Sequence, residues 1–158
     1  MLFKKRTLSV MAVVFLLAIN VSAVVAAPPV PVTIEVEENL AEGHWFDPET
    51  FYASGPAVDN GLVCATGDVV DLEITWNMSS APFQNLKAHK RFTCDDASGT
   101  FDIKMVVKLN KTTRNTTAKW RIVGGTSGYA GLKGHGSLIG ISNNPAPGIY
   151  DIYDGVVK

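Results

Sequence analysis

The stretch GTFDIKMVVKLN, residues 99–110, repeats with period two. Phe101, Ile103, Met105, Val107 and Leu109 share one face, while Asp102, Lys104, Lys108 and Asn110 share the other, and Val106 alone breaks the polar side. A helix, with period 3.6, would scatter these apolar residues around its circumference; an antiparallel strand with one face on a core gathers them. Related patterns occur at Val32–Glu38, Val69–Trp76, Lys87–Cys94, Thr116–Val123, His135–Ile141 and Ile149–Val157, separated by turn residues. Residues 42–67, with His44, Trp45, Phe46, Phe51 and Tyr52 among turn residues, contribute one or two short strands and a long loop. Seven or eight short strands predict an all-β chain, a single antiparallel eight-stranded β-barrel, with a β-sandwich as the alternative.

Before this domain, Lys4, Lys5 and Arg6 precede an almost wholly apolar run from Leu8 to Val25, then Ala26, Ala27 and PPVPV. That three-part layout predicts a secretory signal peptide over residues 1–26 and a secreted domain over 27–158, placed outside the cell, in the periplasm or in the cell envelope. A retained anchor is the alternative, because the run approaches the roughly 20 residues a bilayer requires. No later run is uninterrupted by charge, so no membrane span is expected after cleavage. Cleavage removes three of the fourteen basic residues and leaves eleven against fifteen acids, a net charge of −4. Nucleic acid is therefore excluded as an expected partner, since it selects basic surfaces. Cys64 and Cys94, the only cysteines, read as one disulfide in an oxidising compartment. Closing a loop of this length stabilises a fold by roughly 3–4 kcal/mol in the chain-entropy model.

GGTSGYAGLKGHG, residues 124–136, invites a phosphate-loop reading, but Lys133 is followed by Gly134 and the next residues read as strand, not helix. Gly124, Gly125 and Gly128 instead suit the positive φ angles of a tight turn. Gly134, Gly136 and Gly140 alternate along the next strand and leave one face bare, room for a large ring from Trp120, Tyr129 or Tyr153. Leu132 anchors the hairpin.

This segment resembles one in the allene oxide cyclase-like and dirigent-like barrels, where a glycine-rich turn precedes an aromatic residue and, five positions later, a glycine. Gly124, Gly125, Thr126, Tyr129 and Gly134 fit that spacing, with Ser127 at a position that is usually glycine. It is also similar to a G-x-Y-A-G-L-x-G-x-G segment of small bacterial barrels, some of them secreted, matched by Gly128, Tyr129, Ala130, Gly131, Leu132, Gly134 and Gly136. The resemblance covers about fifteen residues. It implies an eight-stranded barrel and a tendency to form homo-oligomers, in families that include a fatty-acid epoxide cyclase and proteins steering phenoxy-radical coupling. It carries no catalytic residue onto this chain.

Chemistry is sparsely signalled. His44, His89 and His135 lack metal-ligand spacing, and neither a metal nor another cofactor is expected. Asp95 and Asp96 read as turn-capping acids, too few for a calcium loop. The expected role is binding of a small apolar or amphipathic ligand in the barrel, with Trp120, Tyr129 and Tyr153 as the binding rings. An isomerase or cyclase is the second expectation, with His135, Tyr153 and Asp154 as its candidate catalytic residues. A non-catalytic structural or interaction protein of the cell envelope is the third.

Overall fold

Among the described residues each strand doubles back on the one before it, and the last strand returns to the first. The computed structural model describes residues 27–39, 41, 46–77, 81–143 and 148–158. Its strands are β1 (Val30–Asn39), β2 (Glu49–Ser54), β3 (Thr66–Asn77), β4 (Phe83–Cys94), β5 (Thr100–Asn110), β6 (Thr116–Gly125), β7 (Gly134–Asn143) and β8 (Gly148–Val157). One helical turn, α1 (Pro56–Asp59), lies between β2 and β3. Each strand pairs antiparallel with its sequence neighbour, and β8 pairs with β1 from Val30–Val157 to Asn39–Gly148. The closed eight-stranded barrel leaves no free sheet edge and replaces the alternative of two separate packed sheets. Residues 1–26, read as a signal peptide, and His44 and Trp45 lie outside the described residues. Among the described residues, no helix is long and apolar enough to cross a membrane.

Alternation determines what fills the interior. Val32, Ile34 and Val36 of β1, Phe101, Ile103, Met105 and Val107 of β5, and Ala118 and Trp120 of β6 are buried, while Val106 is exposed. The end of the barrel reached by the hairpins β2–β3, β4–β5 and β6–β7 is packed with aromatic rings. Phe92 stacks on Phe101 with centroids 4.9 Å apart, Phe51 meets Phe92 edge-on at 5.2 Å, and Tyr153 meets Phe92 edge-on at 5.9 Å. Tyr129 packs edge-on against Phe101, and its hydroxyl lies 2.7 Å from Ser98 Oγ. The Cys64–Cys94 disulfide, with Cα atoms 5.9 Å apart, ties the segment after α1 to the end of β4 at this same end.

The bare glycine face has a specific occupant. Trp120 is register partner to Gly136, which in turn faces Gly155 of β8. A Cβ at either glycine would run into the Trp120 indole and into backbone of the neighbouring strand. The ring lies across both strands, and its Nε1 donates to the Ser137 carbonyl at 3.0 Å. The turn before β7 departs from expectation. Gly124, Gly125 and Gly128 do not have positive φ; the left-handed residue there is Ser127, at φ 51°. Gly125 is instead required by space, since a Cβ there would collide with the Tyr129 carbonyl oxygen.

Candidate functional site

At the other end of the barrel, charged side chains occupy positions that alternation assigns to the interior. On β1 the buried face Val32, Ile34, Val36 continues to Glu38; on β4 Lys90 lies between Ala88 and Phe92; on β8 Asp151 lies between Ile149 and Tyr153. Asp71 follows Val69 on the inner face of β3 and is the register partner of Lys90. Beyond Asp71 the pairing with β4 shifts by one residue, and Leu72 and Glu73 are both exposed. Such a bulge re-aims the strand after it. Uninterrupted alternation would place Glu73 and Thr75 inside; the extra residue places Ile74 and Trp76 against the interior cavity. One irregularity thus converts the wall above Asp71 from polar to apolar.

These groups form a bridge across the barrel. Lys90 Nζ lies 2.8 Å from Glu38 Oε1 and 2.8 Å from Asp71 Oδ2, and Lys90 is only 6% exposed. Burial works against the ammonium charge, but Glu38 and Asp71 outweigh it and hold Lys90 above its ordinary pKa. Burial raises Asp71 despite the opposing attraction of Lys90. Asp151 is pushed well above the usual carboxylate range, first by burial and then by the charge of Glu38. Gly140 makes the space: a Cβ there would overlap Asp151 Oδ1 and Thr116 Oγ1. Below the cluster Tyr153 is fully buried, and its pKa is raised by that burial and by the charges of Asp151, Glu38 and Asp71. Tyr153 Oη and Asp71 Oδ1 are buried and have no hydrogen-bond partner among the described residues.

A cavity of about 190 Å³ opens above this floor. Ile74, Trp76, Leu86, Val107, Leu109 and Ile149 form its apolar wall. Five carboxyl side chains line it against Lys90 and Arg114. Among the described residues, no group of three or more His, Cys, Asp or Glu is arranged to hold a metal ion; the ammonium of Lys90 sits where the carboxylates converge.

The residues singled out in the sequence lie elsewhere or in other roles. His135 is exposed on the outside of β7, opposite Arg121 and Val156. Asp154 also faces outward and accepts a hydrogen bond from Thr33 Oγ1 at 2.7 Å. Tyr153 points inward, so the three do not converge on one site. Trp120 and Tyr129 are buried in packing at the aromatic end and do not line the cavity. Asp96 caps its turn by accepting from the Ser98 backbone N–H at 2.9 Å. Glu38, Asp71 and Lys90 escaped the sequence reading, although each is in phase with an apolar face; of the two acids flanking Tyr153, Asp151 is the one that shares its inward face. Compared with protein-family models, curated proteins and solved structures, the chain finds no match.

Proposed function

We propose that the barrel binds a small amphipathic molecule in its open mouth, the apolar body against Trp76, Leu86 and Leu109 and the polar end on the Lys90 cluster. The observation that carries this reading is the cavity itself, apolar in its walls and polar at its floor. Pockets that hold small ligands have this composition, with apolar lining for affinity and a few fixed polar groups for orientation. The volume suits a ligand of modest size, well below that of a long fatty acyl chain. Binding at the mouth differs from the ring-lined site expected from Trp120, Tyr129 and Tyr153, because those rings are committed to packing. A homo-oligomer is compatible with the reading, since the mouth lies at one end of the barrel and its outer wall stays available.

Native mass spectrometry on protein purified from its own host tests the proposal. The expected result is a species heavier than the chain that loses the added mass on denaturation, with the ligand recovered for identification. A bare protein that also takes up none of a panel of small amphipathic compounds would overturn it.

A second reading, an isomerase or cyclase of the allene oxide cyclase kind, draws support from one group. Asp151 lines the cavity, and its carboxyl, held well above the usual carboxylate range by burial, suits a general acid. It takes the place of His135 and Asp154, which face away. Loss of turnover of a small epoxide in Asp151→Asn, with its binding retained, would favour catalysis over simple binding.

A further inference from the structure

We infer that the head group recognised at the cavity floor is a cation, an alkyl- or arylalkylammonium, held by Asp71. The inference rests on the mouth-binding reading and assigns its ligand class.

The charge balance of the floor leads there. Two carboxylates, Glu38 and Asp71, share the single ammonium of Lys90, and Asp151 lines the same cavity beside them. Lys90 reaches one oxygen of Asp71, and the other, Oδ1, is buried without a hydrogen-bond partner among the described residues. The Asp71 side chain is only 10% exposed, and the residue lines the cavity. A buried carboxylate oxygen left unpaired is costly, and a bound ammonium N–H removes that cost with a charge-assisted hydrogen bond. An alcohol could donate to the same oxygen but would leave the excess charge uncompensated. A carboxylate ligand would add a further negative charge to a floor already short of cations. At the rim, Asp47 and Glu49 strengthen the same preference, opposed by Arg114 alone among the described residues. The apolar walls then select the substituent on the nitrogen, a short alkyl chain or one ring.

Isothermal titration of the protein with three probes sharing one ring and a short chain tests this: 2-phenylethylamine, 2-phenylethanol and phenylacetate. The expected order is amine tightest by about tenfold or more over the alcohol, with the acid weakest. Asp71→Asn is expected to remove the preference for the amine over the alcohol. An alcohol or acid that binds as tightly as the amine would overturn the head-group assignment and leave the mouth reading standing. Retention of the amine preference in folded Asp71→Asn would overturn the role of Asp71. Failure of all three probes at millimolar concentration would remove the mouth reading along with the inference. The wild-type comparison decides the charge question even if the Asp71 variant does not fold.

Discussion

The two ends of this barrel are built from the same strands and solve opposite problems. At one end Phe51, Phe92, Phe101 and Tyr129 interlock ring on ring over a disulfide, and the Tyr129 hydroxyl is partnered by Ser98 Oγ. At the other end Glu38, Asp71, Lys90 and Asp151 are buried with incomplete pairing, and the wall above them opens into a cavity. The aromatic end draws its stability from area removed from water and from ring geometry. The polar end draws little, because the attraction within a buried ion cluster is largely offset by the cost of desolvating its members. Sites that bind or react are commonly held in just such under-satisfied regions, supported by a part of the fold that is not compromised. The closed end can therefore be read as the foundation and the open end as the instrument.

The comparison breaks most visibly under two large substitutions that fail for different reasons. Phe92→Ala leaves a cavity between Phe51, Phe101 and Tyr153 and is expected to cost about 3–5 kcal/mol in urea denaturation. Lys90→Met is expected to cost a similar ~3–5 kcal/mol, because Glu38 and Asp71 are left buried without their cation. The losses should part company in a second step. Adding Glu38→Gln and Asp71→Asn to Lys90→Met removes the stranded charges and is expected to recover most of the stability. Neutralising the same two acids in Phe92→Ala should recover none of the loss, since a missing ring is not a charge imbalance. If the triple variant at the open end stays as unstable as Lys90→Met, the cluster is held by packing after all and the contrast between the ends fails.

A medium effect sharpens the account of the aromatic end. Gly136→Ala inserts a methyl group where the Asp154 carbonyl, the Gly155 backbone and the Trp120 ring already meet. Because two of those neighbours are backbone, relief requires the β7–β8 pairing to shift, and the expected cost is about 1–3 kcal/mol. Gly131→Ala, which meets nothing within 4 Å, is the matched control and should change the unfolding free energy by less than about 0.5 kcal/mol. Equal effects at the two positions would show that the glycine alternation does not serve the tryptophan.

Much of the aromatic end was legible in the sequence, and the reason is physical. Period-two alternation identifies strands directly, so β1 and β3–β8 are found close to their structural bounds, and closure follows from eight strands in up-and-down order. The cysteine pair and the bare face of β7 are local signals with one simple reading each. The polar end was less legible because alternation reports burial for apolar residues and is read as exposure for charged ones. VTIEVEE and KAHKRF look like strands with a solvated side, yet Glu38 and Lys90 fall in phase with Val36 and Phe92. The usable signal was the phase itself: a lone charge on an otherwise apolar face, occurring on β1, β3, β4 and β8. Asp71 was further obscured by the bulge at Leu72, which no residue in VVDLEITW announces. His135 was misleading for the converse reason, since its glycine neighbours give room on the inner face while its own side chain points outward.

The smallest expected effect tests the detail on which the open end turns. Asp151 has a folded-state pKa raised well above its unfolded value near 3.8. Its contribution to stability is therefore complete below that value and is lost as pH rises through the folded-state pKa, with a slope of at most about 1.4 kcal/mol per pH unit. Asp102 works in the opposite sense. The hydrogen bond from Arg91 holds it below its ordinary value, so its contribution is lost as pH falls. Asp151→Asn keeps the shape of the protonated acid, offers an N–H towards Glu38, and has no proton to lose. The variant should be at its weakest relative to wild type at acidic pH and should gain on it steadily as pH rises, while the acid-side loss from Asp102 remains unchanged. Chemical denaturation at a series of pH values reads both limbs from one data set. A wild-type curve and an Asp151→Asn curve that run parallel would mean that Asp151 is ionised throughout. The floor would then hold three carboxylates against one lysine, a balance with still greater need of a bound cation.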